Sequence, residues 1–167
     1  MGQRSEAASP IVRIAIAGLG AAGCMMIPAL LKRPSIKITA AADTDPAPLE
    51  KFRADFQAET FRSVEELCKS SNVDAICIAT PTQSHTEHTL MALDHRKHVV
   101  LEKPMARTPA ECDRMIDACD RAHVRMSVAY NMRCCPLLDY VEARLKEGII
   151  GDIQELRGRG KEDRRAG

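Results

Sequence analysis

The chain has 167 residues, enough for one well-buried core and too few for two ordinary domains. Its 24 Lys and Arg nearly cancel its 23 Asp and Glu, which excludes a global basic field for nucleic acid or an anionic membrane and leaves a small molecule as the expected partner. Three Phe, two Tyr and no Trp exclude a base-stacking surface, while seven Cys without a Cys-x-x-Cys pair do not make a secreted disulfide framework and suit a reducing cytoplasm.

Residues 1–10 read as a loose arm, and Glu6 stands where an N-myristoylation signal needs Ser or Thr. From Ile14 to Leu31 no residue is charged, a length that nominates a membrane span until glycines 18, 20 and 23 and Pro28 interrupt it. A buried strand, a glycine turn and a core-facing helix over Ala22 to Leu31 explain the same run. Gly18, Gly20 and Gly23 fit G-x-G-x-x-G. In that pattern the first glycine allows a tight turn, the second admits a pyrophosphate to bare backbone and the third packs helix on strand. The turn backbone over Gly18, Leu19, Gly20, Ala21, Ala22 and Gly23 would then face phosphate with its free N–H groups.

A second apolar strand over Ile36 to Ala42 ends at Asp43, twenty residues after Gly23. That is the interval at which a carboxylate receives the adenosine ribose hydroxyls, and its charge favours NAD over NADP. Asp45, with Pro46 behind it, caps the following helix to Phe56. A short strand near Thr60 precedes a capping box formed by Ser63 and Glu66. Asp74 to Thr80 is nearly all apolar, as a central parallel strand should be, and its end at Thr80-Pro81 lies on the rim shared by Gly18 and Asp43.

Ser84 to Asp94 reads as a helix carrying His85 and His88, with no third ligand nearby, so no metal is expected and surface or cap histidines are the default. His85 differs in sitting on the rim, in the first turn after the Thr-Pro loop. His98 to Leu101 is a fifth strand, followed at once by Glu102-Lys103-Pro104. Lys103 either places an ammonium beside a reacting oxygen or forms a surface pair with Glu102, and composition alone favours the pair. Thr108, Pro109 and Glu111 start a helix to about Ala122, Arg125 to Ala129 is a sixth strand, and Pro136 to Lys146 is a helix stopped by Gly148. Ile153 to Arg159 begins another strand-like run. Arg-Gly-Arg-Gly at 157 to 160 reads as a solvated tail, and adjacent Cys134 and Cys135 take no role. The expected fold is α/β, a doubly wound, mainly parallel six-stranded Rossmann sheet over residues 11–150, with the stub of an α+β substrate domain over 151–167.

Ala-Gly-Leu-Gly-Ala-Ala-Gly (17 to 23), Ala-Asp-Thr-Asp-Pro (42 to 46), Ala-Thr-Pro-Thr-Gln-Ser-His (79 to 85) and Lys-His-Val-Val-Leu-Glu-Lys-Pro (97 to 104) together resemble the glucose-fructose oxidoreductase, inositol dehydrogenase and rhizopine catabolism (Gfo/Idh/MocA) family. The resemblance implies a nicotinamide-dependent oxidoreductase of sugars, cyclitols or related secondary alcohols, with this chain supplying the cofactor half. It also implies that Thr80, Pro81 and His85 line the cofactor's path, that Glu102 touches the nicotinamide ribose, and that Lys103 is catalytic between nicotinamide and substrate. The proton acceptor in relatives is an Asp and a His of the substrate domain, which also supplies the usual oligomer surface, so the isolated 167-residue chain is expected to bind the cofactor but to be inactive or incomplete as an enzyme. A homo-oligomer is expected only with that domain present. Glu-Lys-Pro-Met-Ala resembles relatives that oxidise aromatic cis-dihydrodiols as well. A non-enzymatic dinucleotide-binding module is the alternative. Arg96 stands where the family usually has glycine.

Overall fold

The structure, a computed structural model, describes residues 10–157. The arm expected at 1–10 and the Arg-Gly-Arg-Gly at 157–160 lie outside the described residues except for Pro10 and Arg157. The chain divides into two compact units, one ending at Ala129 and one beginning at Tyr130.

The first unit is a parallel sheet wound on both faces. Its strands are β1 (Val12–Ala17), β2 (Ile36–Ala42), β3 (Glu59–Phe61), β4 (Ala75–Ile78), β5 (His98–Leu101) and β6 (Met126–Val128). Their spatial order is β3-β2-β1-β4-β5-β6, and every neighbouring pair is parallel. Helices α1 (Ala21–Leu31), α2 (Pro46–Phe56), α3 (Val64–Cys68), α4 (His85–Asp94) and α5 (Pro109–Ala122) make the crossovers. The order reverses between β1 and β4, and in such sheets the crevice at the carboxyl ends beside that reversal is where ligands bind.

Side-chain alternation along β1 sorts the core into two layers. Ile14 and Ile16 join Leu19, Leu49, Phe52 and the partly buried Met26 and Ile27 against α1 and α2. Ala15 and Ala17 face the other way, where Leu67, Leu93, Met115 and Ala118 come from α3, α4 and α5. Ile76 and Ile78 of β4 are fully buried in the second layer, and burying each such side chain contributes about 2 kcal/mol. β2 breaks the alternation: Ile38 and Ala41 share one layer although three positions apart, because the register against β1 slips between Ile14 and Ala15. The extra residue is Thr39, whose buried hydroxyl donates to the Asn72 carbonyl at 2.6 Å.

Local signals set the helix ends. Asp45 accepts from the Ala47 N–H at 3.0 Å and caps α2, as expected. Ser63 and Thr108 accept from the N–H groups of Glu66 and Glu111, both at 3.2 Å. Their glutamates reach back one residue further than a standard capping box, to the N–H groups of Arg62 and Arg107. A 3₁₀ turn over Thr82–Ser84 precedes α4. Arg96 holds φ +55°, the left-handed conformation that glycine takes without strain.

The second unit, as described, contains a 3₁₀ turn at Asn131–Cys134 and α6 (Pro136–Lys146), which the sequence had assigned to the 11–150 domain. Gly148, the expected stop, takes φ +75°. The strand-like run from Ile153 forms no strand over 153–157. An apolar β pattern becomes a strand only when another strand accepts its ladder, and none is paired with it among the described residues.

Candidate functional site

The glycine turn between β1 and α1 is fixed by close backbone approach. Gly18 has φ +91°, and a Cβ there would lie 2.7 Å from the Ala79 carbonyl oxygen at the end of β4. A Cβ on Gly23 would overlap the Gly18 carbonyl oxygen, so the third glycine lets α1 seat against the turn. Gly20 faces open space and gives α1 no side-chain cap, which leaves the first N–H groups of the helix, around Ala21 and Ala22, without intrahelical acceptors. The backbone thus offers unpaired donors at a positive helix end. The Leu19 side chain points into the α1–α2 layer of the core, and only its backbone belongs to the turn.

Asp43 closes the second side. Its Oδ2 accepts from the Leu19 N–H at 2.7 Å and its Oδ1 from the Asp45 N–H at 2.9 Å, while its own N–H donates to the Phe61 carbonyl at 3.2 Å. The carboxylate braces the glycine turn and retains lone pairs for further donors. Gly18, Asp43, Thr80 and Pro81 line one cleft of about 350 Å³ on the carboxyl edge of the sheet, together with Thr44, Arg62, Ser84 and His88. That volume is within the range of small-molecule sites.

Thr80 is held through both its polar oxygens. Its hydroxyl meets His88 Nδ1 at 2.9 Å and its carbonyl meets His85 Nε2 at 2.9 Å. Burial holds the His88 ring below the usual imidazole range, toward its neutral form. His85 is 1% exposed, and its Nδ1 meets the Pro104 carbonyl at 2.8 Å. The ring expected on the rim therefore lies inside, tying the loop after β4 to the loop after β5. Glu102 follows β5, donating its N–H to Ile78 O at 2.9 Å, and its Oε2 accepts from the Lys103 N–H at 3.1 Å. Lys103 is exposed, the Lys103-Pro104 peptide is cis, and no carboxylate pairs with the Lys103 ammonium among the described residues. His85, Glu102 and Lys103 share the carboxyl edge without lining the Asp43 cleft.

Arg62, Ser84 and His88 were missed by the sequence reading. Arg62 follows β3 as Asp43 follows β2, so the rule that ligands gather beyond strand ends reaches it once β3 is placed beside β2. Ser84 and His88 are four residues apart at the start of α4, a spacing that puts both on one helix face. Cys68 and Cys77 add no nucleophile here: burial pushes their thiols up to about 11.

Residues 12–130 match the Gfo/Idh/MocA oxidoreductase family in its NAD-binding Rossmann domain. The chain is 40% identical over 139 residues to 1-carboxy-3-chloro-3,4-dihydroxycyclohexa-1,5-diene dehydrogenase of Comamonas testosteroni, an alignment that covers 83% of this chain and 34% of that protein. It superposes with a TM-score of 0.80 and 29% identity on the WlbA dehydrogenase of Bordetella pertussis in complex with NADH and UDP-GlcNAcA, covering 86% of this chain and 42% of that one. The Y186F mutant of the 3-ketoreductase KijD10 of Actinomadura kijaniata, in complex with TDP-benzene and NADP, gives a TM-score of 0.81 at 25% identity, with coverages of 86% and 44%. The chain thus spans less than half the length of these relatives. It belongs to the Gfo/Idh/MocA oxidoreductase family, and no helix among its described residues is long and apolar enough to cross a membrane.

Proposed function

We propose that this family member is the cofactor-binding part of a dehydrogenase that moves hydride between a secondary alcohol carbon and NAD, with NADP the weaker partner. The observation that carries the reading is the clamp between the glycine turn and Asp43, which sets a carboxylate on the cleft lined by Gly18 and ties it to the turn that carries the unpaired N–H groups of α1. The turn from Gly18 to Gly23 would hold the pyrophosphate and Asp43 the adenosine ribose. Thr80 and Pro81 would line the cofactor's path with Glu102 at the nicotinamide ribose, and His85 would act from behind by holding their two loops. When bound, the nicotinamide supplies the acceptor for a hydride from the alcohol carbon.

As the hydroxyl proton is removed, negative charge develops on the oxygen until hydride departure converts it to a neutral carbonyl, and the unpaired Lys103 ammonium would stabilise that charge. The hydroxyl proton goes to a group outside the described residues, which the family resemblance assigns to an Asp and a His of the substrate domain. Sugars, cyclitols and cyclic dihydrodiols all offer such an alcohol, and the Comamonas relative, named for a dihydroxylated cyclohexadiene, favours a vicinal ring diol. Seven free thiols support a reducing, cytoplasmic setting.

The test is oxidation of a ring diol followed by NADH appearance in the full-length protein. Lys103→Met should lower kcat by roughly 10²-fold, the cost of removing one oxyanion donor, while NADH affinity stays within a few-fold. Unchanged turnover would remove Lys103 from the chemistry.

A further inference from the structure

We propose that Arg62 is the residue that admits a 2'-phosphate to the adenosine end of the cleft, so that the site takes NADP as well as NAD and Arg62 sets the ratio between them. The inference rests on the dinucleotide reading above and deepens it. It starts from a conflict of charge: Asp43, placed for the ribose hydroxyls, repels a phosphate at the same position. Arg62 lies beside it. β3 pairs with β2 up to Phe61 against Ala42, and the Phe61 carbonyl accepts the Asp43 N–H at 3.2 Å, so the next residue, Arg62, leaves the sheet next to Asp43.

The guanidinium is then turned toward the cleft. Arg62 Nη2 donates to the Thr44 carbonyl at 2.8 Å, one residue beyond Asp43, and both Asp43 and Arg62 line the cleft. That bond uses one of five N–H donors. Glu66 accepts the Arg62 backbone N–H at 3.2 Å, Glu65 is paired with Lys69 and Glu59 accepts from Ser70 and Asn72, and no carboxylate forms an ion pair with the Arg62 guanidinium among the described residues. His88, the other basic side chain on the cleft, is held toward its neutral form by burial and is engaged with Thr80. Arg62 is therefore the cleft's fixed positive charge, anchored by a backbone carbonyl and open on its remaining donors. A planar guanidinium suits bidentate contact with phosphate oxygens, whereas NAD presents only a neutral hydroxyl there.

The test titrates NADH, NADPH, 5'-AMP and 2',5'-ADP into the wild-type protein and the variants Arg62→Gln and Arg62→Lys, each checked by thermal melting. Wild type should bind both dinucleotides, with NADPH affinity falling more steeply as salt is added. Arg62→Gln should weaken NADPH and 2',5'-ADP about tenfold, the loss expected for one charge-assisted contact, and leave NADH and 5'-AMP within about twofold. Arg62→Lys should fall between. An unchanged NADPH-to-NADH ratio in Arg62→Gln, equal weakening of both, or NADPH binding too weak to measure in wild type would overturn the role of Arg62 while leaving NADH binding intact. Binding of neither dinucleotide by wild type would overturn the dinucleotide reading itself, and this inference with it.

Discussion

Replacing Asp43 with alanine separates two jobs that one carboxylate performs. In the folded protein the carboxylate accepts the part-buried Leu19 N–H at 2.7 Å and the exposed Asp45 N–H at 2.9 Å. Water can replace the second bond but reaches the first poorly, so Asp43→Ala should cost about 1 kcal/mol of stability, the usual net value of one hydrogen bond. For a chain of this size that lowers Tm by about 3 °C. Binding should suffer more. Two ribose hydroxyls donating to a charged acceptor contribute about 1.5 kcal/mol each, taken at the low end because the group is half exposed. Losing about 3 kcal/mol weakens NADH by roughly a hundredfold. Asp43→Asn keeps an acceptor for Leu19 and should melt near wild type while still binding weakly. The assay is NADH fluorescence titration beside a thermal melt. NADH affinity within threefold of wild type in Asp43→Ala would refute the ribose role and leave Asp43 as a brace for the turn.

Two further outcomes concern the scaffold. Arg96→Gly relieves a left-handed residue at φ +55° and should stabilise the protein by about 1 kcal/mol, read as a Tm rise of a few degrees; a lower Tm would show that Arg96 makes contacts that outweigh its strain. Asp74, bonded to the Arg13 guanidinium and N–H at the amino end of β1, has its carboxyl held well below the usual carboxylate range, at about 2. A depressed folded-state value means the unfolded chain binds the proton first as pH falls, so this contribution is complete above about pH 5 and is lost on acidification toward pH 2. Asp74→Asn should flatten that part of the acid limb in a melt series, and an unchanged limb would contradict the pairing.

What could be read from the sequence was local. The glycine turn, the Asp45 cap, the Ser63 and Thr108 helix starts and the all-apolar β4 each depend on neighbours within a few residues, and each stands where expected. Asp43 was placed by its interval from Gly23, but its bond to Leu19 depends on how β1 and β2 lie side by side. Arg62 was invisible for the same reason in stronger form, since its position beside Asp43 follows from β3 being the edge strand next to β2. His85 shows a different limit. Its place after Thr80-Pro81 was legible, but its inward direction is set by the carbonyls of Thr80 and Pro104, nineteen residues of chain separating His85 from the second. The run from Ile153 carried a strand's pattern, and pattern alone does not supply a pairing partner.

The central claim is that the edge carrying Gly18, Asp43 and Thr80 is a dinucleotide site. With no Trp in the chain, the emission of NADH itself reports binding without interference from indole. Titrating the wild-type protein into NADH should give a saturable rise with one site per chain and a Kd in the micromolar range, about −7 to −8 kcal/mol, competed away by 5'-AMP. A flat titration, or a rise that 5'-AMP leaves untouched, would contradict the claim.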